Sequence, residues 1–144
     1  EQMVASYGVD GEIGQLLTEY LKHRTAALDY PTRKSVALNL VKRFWCDMGP
    51  HHPDLTTFAI SPAQAEAWKQ RIRFKDDGTP RSDHWPILFT VRGFYLDLAQ
   101  WALQDSHWAP WVAPTVAWPR GPCRWRAWAC SPGTAPGWPG CGAG

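Results

Sequence analysis

The sequence lacks any acidic residue after residue 113, and the same stretch has no Lys, Leu, Ile or Phe. Residues 114–144 consist instead of six Pro, six Gly, five Ala, four Trp, three Cys and three Arg, with four other residues. Pro and Gly at this density interrupt helices and strands, and the missing Leu, Ile and Phe leave little to build a core. We therefore predict a disordered, low-complexity tail over residues 114–144.

The amino-acid composition of this tail suggests how the gene segment that encodes it was translated. Pro, Gly, Ala, Arg, Trp and Cys are the residues that G- and C-rich codons encode, so a GC-rich gene translated in the wrong frame gives this composition. We interpret residues 114–144 as a non-native reading frame. A genuine Trp- and Pro-rich binding segment is the alternative.

The sequence is also poor in metal-site patterns. Cys123, Cys130 and Cys141 have no closely spaced pair and no His near them in the tail, whereas a zinc site needs four ligands with such a pair. Two more pairs could supply ligands, but a solvated loop and a turn explain them more simply: His51 and His52, and Asp76 and Asp77. We expect no metal and no cofactor.

Long apolar runs are absent too. No uninterrupted apolar stretch approaches the roughly 18 residues of a transmembrane helix, and no basic segment followed by an apolar one opens the sequence. We expect a soluble, cytoplasmic chain with no membrane partner. Its 144 residues fit one ordinary domain.

Residues 11–113 carry the periodicity of four helices, at about 11–28, 33–48, 62–74 and 84–105, after a flexible N-terminus over residues 1–10. Thr32 is the predicted N-cap of the second helix, and Ser61 followed by Pro62 begins the third. The fourth helix is apolar on most of its circumference, which predicts that it is central. With no strand pattern of similar length, we predict an all-α fold, a small four-helix bundle.

Basic residues gather in two stretches of this bundle, although residues 1–113 have 13 acidic residues against 12 basic ones. Such clusters bind phosphates through counterion release. We predict a DNA-binding surface in which Lys42 and Arg71 contact phosphates while Asn39 and Arg43 reach base edges. The full predicted set is Arg33, Lys34, Asn39, Lys42, Arg43, Lys69, Arg71, Arg73 and Lys75.

The order of helices resembles a known family. LLTEYLKHR, TRKSVALNLVKRFWCDMG, SPAQAEAWKQRIRF and FYLDLAQWALQDSHWAPW, in this order, resemble the core-binding (SAM-like) domain of tyrosine-type site-specific recombinases, the phage-type integrases, in their actinobacterial form. The resemblance implies a helical domain that forms half of a clamp around double-stranded DNA in integration and recombination. It also implies self-association on DNA for a full-length relative, in which a separate C-terminal domain carries the chemistry.

The catalytic set of that family is absent from this sequence. Strand exchange there uses a tyrosine nucleophile with arginines and a His-x-x-Arg pair, but no His here has Arg three residues on, and all four Tyr lie within or before the bundle. We therefore expect no enzymatic activity, and no catalytic residue, in this chain. Two alternatives stay open: a helical protein-interaction module with a Trp-rich docking surface, and another helical DNA-binding regulator whose second helix is the recognition helix.

Overall fold

The computed structural model describes residues 2–113, which are predominantly helical. The α-helices are α1 (Gln2–Ala5), α2 (Gly11–Arg24), α3 (Tyr30–Ala37), α4 (Cys46–His51), α5 (Pro62–Ile72) and α6 (His84–Trp101). A π-helical segment, Leu38–Trp45, joins α3 to α4, and a 3-10 helix, Ser106–Trp111, follows α6. Within the described residues the only β contact is an isolated bridge between Phe74 and Pro80. The predicted all-α class is confirmed.

The predictions for the tail, including the arrangement of Cys123, Cys130 and Cys141, lie outside the described residues. At the other end of the chain, α1 is a single helical turn that the sequence periodicity did not predict. Its Val4 is buried in the common core, so this short helix packs onto the longer ones.

The first and last predicted helices are shorter than expected. The prediction for the first extended to residue 28, but α2 ends at Arg24. Thr25 caps it, and both the amide and the hydroxyl of Thr25 donate to the carbonyl of Leu21. The prediction for the fourth extended to residue 105, whereas α6 ends at Trp101 and a turn follows. Leu28, expected on the apolar stripe of the first helix, lies half-buried in a turn.

The second predicted helix is longer than expected, because helical structure is continuous over residues 30–51. It begins at Tyr30, where the carboxylate of Asp29 accepts a hydrogen bond from the amide of Thr32 at 3.2 Å. The predicted N-cap at Thr32 is therefore wrong, since Pro31 fits the first helical turn, where its missing N–H is not needed. The helix also passes the expected stop at Gly49 and Pro50 to end at His51.

The buried stripe of this helical run continues through the π-helical segment. Leu40, Val41 and Phe44 have no exposed surface. Asn39, expected on the basic face with Lys42 and Arg43, is buried with them, with only 4% of its surface exposed. Lys42 stays exposed and Arg43 is half-buried. Asn39 therefore does not belong to the exposed basic face.

The third predicted helix begins where expected. Ser61 and Gln64 form a reciprocal capping box, and Pro62 occupies the first turn of α5. Each partner of the box satisfies an amide of the first turn that would otherwise lack an acceptor.

The core lies between α6 and the helices around it. α6 packs against the π-helical segment, and its buried side chains are Ile87, Leu88, Val91, Phe94, Tyr95 and Leu98. The ring of Phe94 meets the rings of Tyr20 at 4.8 Å and Phe58 at 4.9 Å between centroids, both edge-to-face. This packing agrees with the expected central position of the fourth helix.

Candidate nucleic-acid interface

The two basic stretches, separate in the sequence, meet in the structure. The indole Nε1 of Trp68, on α5, donates a hydrogen bond of 2.9 Å to the carbonyl oxygen of Arg43, in the π-helical segment. Arg71, one turn further along α5, pairs through Nη2 with Asp47 of α4 at 2.8 Å. These contacts fix α5 beside the helical run over residues 30–51.

Asp83 completes the junction between these stretches and α6. Its carboxylate lies 3.1 Å from Nη1 of Arg43 and 3.9 Å from Nη1 of Arg81. Partial burial raises the pKa of Asp83, but the charge and hydrogen bond of Arg43, helped by Arg81, outweigh it, so this pKa lies below its usual value. One carboxylate thus balances two guanidinium groups.

A tight turn carries the next basic residues. The amide of Lys75 donates to the carbonyl of Thr79 at 2.8 Å, and the amide of Arg81 donates to the carbonyl of Arg73 at 2.7 Å. Asp77 accepts from the amide and hydroxyl of Thr79, and these hydrogen bonds lower its pKa. Gly78 follows with a φ of 82°, which favours glycine. Asp77 thus shapes this turn.

Arg81 anchors that turn to α5. Its Nε donates to the carbonyl oxygen of Ile72 at 3.0 Å, and its Nη2 lies 3.5 Å from the carbonyl oxygen of Phe74. The last carbonyl groups of a helix have no hydrogen-bond donor within the helix, and the guanidinium group of Arg81 supplies such a donor. The predicted set omitted Arg81, and only its position after the Asp-Gly turn hints at this role in the sequence.

Asn39 does not have the position predicted for it. Its Oδ1 accepts a hydrogen bond from Nη1 of Arg43 at 3.1 Å, and its Nδ2 lies 3.4 Å from Oγ1 of Thr90 on α6. The side chain is therefore buried between two helices. The prediction that Asn39 reaches base edges does not fit this position, because packing against Thr90 of α6 buries its side chain.

Three predicted cations serve internal contacts. Arg33 donates to the carbonyl oxygens of Leu28 and Ala26, at 2.8 and 3.1 Å, and so holds the loop after α2. Lys69 is buried and pairs with Glu66, and desolvation lowers the pKa of its ammonium group to about 8. Arg71, expected to contact phosphate, is half-buried and holds Asp47, as described above.

The remaining predicted cations are all at least partly exposed to solvent. Lys34, Lys42 and Lys75 are exposed, and Arg43 and Arg73 are half-buried. Lys34 lies about two turns from Lys42 along the helix, apart from the others. Lys42 adjoins Arg43, which pairs with Asp83, and Arg73 and Lys75 lie at the turn that Arg81 anchors. We name the four cations Lys42, Arg43, Arg73 and Lys75 the Asp83 surface.

The other residues considered as metal ligands or as a buried thiol have local partners. Nδ1 of His51 lies 2.7 Å from the carbonyl oxygen of Asp47, and Nδ1 of His52 lies 3.4 Å from Nε2 of Gln64. Cys46 is half-buried, and desolvation raises the pKa of its thiol. Over residues 2–113, no three His, Cys, Asp or Glu side chains are arranged to hold a metal ion.

Comparison with known proteins gives no relative for this chain: no protein-family model, curated protein or solved structure matches it. In the part of the chain that the structure describes, no helix is both long and apolar enough to cross a membrane.

Proposed function

We propose that the helical domain binds double-stranded DNA through the Asp83 surface. The observation that carries the proposal is the convergence of the two basic stretches, because Arg43 and Arg81 share the single carboxylate of Asp83. Lys42, next to Arg43 in the sequence, and Arg73 and Lys75, at the turn that Arg81 anchors, add positive charge to the two stretches. Clustered Lys and Arg attract the phosphate backbone and release its counterions.

The chemistry of this surface favours phosphate contacts over base contacts. Its exposed members are lysines, which act as point charges and lack the planar fork of arginine. Asn39, whose amide could have paired with adenine, is buried. The domain then binds many DNA sequences with similar affinity, and the phosphates fix its position.

We further propose that the domain is the core-binding part of a tyrosine-type recombinase that acts in DNA integration and recombination. The order of its helices and the apolar α6 support this, together with the sequence segments that resemble that family. Because this sequence has no His-x-x-Arg pair, we assign it DNA binding without strand cleavage.

A salt titration with matched variants tests DNA binding. Fluorescence anisotropy with a labelled 20-base-pair duplex, from about 50 to 200 mM salt, gives the slope of log K against log salt, and each lost phosphate contact lowers that slope by about 0.9. We expect this loss for Lys42→Ala and for Lys75→Ala. Lys22→Ala is the control, because Lys22 is an exposed lysine on α2, outside the Asp83 surface.

Two results would contradict the proposal. If the unsubstituted chain shows no salt-dependent binding to the duplex, DNA binding is refuted. If Lys22→Ala reduces affinity as much as Lys42→Ala does, the Asp83 surface is not the interface.

A further inference from the structure

A cleft lies between α1, α2 and α3, on residues outside the Asp83 surface. Its volume is about 260 Å³, and Lys22 and Arg33 line it together with uncharged residues only. Val4, Leu21 and Ala37 form its apolar floor, since each lines the cleft and is at most 8% exposed. The cleft therefore combines an apolar floor with two cationic side chains.

The protein does not neutralise these two cations. Over residues 2–113, neither Lys22 nor Arg33 has a carboxylate partner. Glu19, one turn before Lys22 on α2, pairs instead with His107 at 2.7 Å. An anion in the cleft would therefore meet two positive charges and no carboxylate among the lining residues.

Hydrogen bonds to the backbone hold the guanidinium group of Arg33. Its Nε and Nη2 donate to the carbonyl oxygens of Leu28 and Ala26, at 2.8 and 3.1 Å. Its Nη1 has no acceptor among the residues that the structure describes. Because the side chain is already ordered, a carboxylate that binds Nη1 costs less conformational entropy than it would on a freely moving arginine.

An adjoining cleft indicates which way a ligand would lie. It shares Lys22 with the first cleft, but Asp10 and Glu19 line it as well. Their carboxylates repel an anionic group. The charged end of a ligand therefore belongs at the Arg33 end of the first cleft, on the far side of Lys22 from these acids.

We propose that the first cleft binds a small monocarboxylate with an apolar chain, of the medium-chain fatty acid class. The carboxylate accepts hydrogen bonds from Lys22 and Arg33, which are charge-assisted, and the chain covers the apolar floor. A group the size of a water molecule takes about 30 Å³, so a cleft of about 260 Å³ suits a chain of about eight carbon atoms. This site goes beyond the proposed DNA binding, because none of its residues belongs to the Asp83 surface.

Methyl NMR of the whole chain, labelled at its two methionines, tests the inference. Met3 lines the cleft, whereas Met48 has no exposed surface and lies elsewhere in the core. Titration with octanoate should shift the Met3 signal to saturation, with a Kd on the order of 1 mM, and leave the Met48 signal in place. Octan-1-ol and octylammonium, which have the same chain without the carboxylate, should bind at least about tenfold more weakly.

Two matched pairs of substitutions isolate the charges. Lys22→Met removes one cation from the cleft, and Lys34→Met is its control, since Lys34 is an exposed lysine on α3 outside the cleft. Ala26→Glu adds a carboxylate to the cleft, and Ala27→Glu is its control, because Ala27 is exposed but does not line the cleft. We expect Lys22→Met and Ala26→Glu to weaken octanoate binding about tenfold, and the controls to change it less than about twofold.

Three results would overturn the inference. The first is a Met3 signal that does not saturate with octanoate, or a Met48 signal that moves with it, because octanoate then has no site in the cleft. The second is octan-1-ol that binds as tightly as octanoate. The third is an unchanged octanoate affinity in both Lys22→Met and Ala26→Glu, because the cations then do not hold the carboxylate.

Discussion

The indole of Trp68 holds the two halves of the candidate interface together, and its removal gives a quantitative test. Trp68 has no exposed surface, and its Nε1 donates the 2.9 Å hydrogen bond to the carbonyl oxygen of Arg43. Its ring also meets that of Phe44 edge-to-face, with 4.9 Å between centroids. Trp68→Phe removes the donor and part of the buried ring while keeping an aromatic side chain.

The expected loss has two parts. A buried carbonyl that loses its hydrogen-bond partner costs about 1–3 kcal/mol. The smaller ring also leaves an incompletely filled space against Phe44, for which we add about 1 kcal/mol. We therefore expect Trp68→Phe to lower the free energy of unfolding by about 2–4 kcal/mol, a large fraction of the ~5–15 kcal/mol of a typical domain.

Urea denaturation of the whole 144-residue chain, followed by circular dichroism at 222 nm, measures this loss. The slope of the free energy of unfolding against urea concentration should not change, because unfolding exposes the same surface in both proteins. Trp85→Phe is the matched control: Trp85 is half-buried on α6, and we expect a change below about 1 kcal/mol. A Trp68→Phe protein as stable as the unsubstituted chain would show that the hydrogen bond to Arg43 does not join the two elements.

Two further predictions concern polar contacts between distant segments. Asn39→Ala should lower the free energy of unfolding by about 1–2 kcal/mol, because it removes the buried link between Arg43 and Thr90. The control, Ser35→Ala, at an exposed position one turn earlier, should change it by less than about 0.5 kcal/mol. Equal effects of the two substitutions in urea denaturation would refute the role assigned to Asn39. The hydrogen bond of His107 to Glu19 raises the pKa of His107 above its usual 6.5, so the pair stabilises the fold below that pH and loses its effect as the pH rises through the raised pKa. An NMR titration should show this pKa fall in Glu19→Gln and stay unchanged in Glu12→Gln; the opposite pattern would contradict the pairing.

Local sequence signals determined where the helices form. The apolar spacing of α2, α5 and α6, together with Ser61 and Pro62, predicted an all-α chain because these signals act within a few residues. The predicted helix boundaries were less accurate where two neighbouring residues could each cap the helix. Asp29, rather than the predicted Thr32, caps the second helical run, and both are residue types that favour this position.

The candidate interface depended on tertiary structure. A basic side chain in a sequence does not reveal its partner, and only the packing of α5 against residues 30–51 assigned Arg71 to Asp47 and Arg43 to Asp83. Packing against α6 likewise buried Asn39, which α-helical periodicity had placed among the basic residues. This burial cannot be read from local spacing, because it depends on Thr90, a residue far along the chain.

The sequence by itself therefore determined the fold class, the approximate helices and the basic composition of two stretches, since each follows from neighbouring residues. Tertiary structure alone decided which cations remain exposed and that Arg43 and Arg81 meet at Asp83. These features depend on contacts between residues far apart in the chain, such as Trp68 with Arg43, and such contacts exist only once the helices have packed.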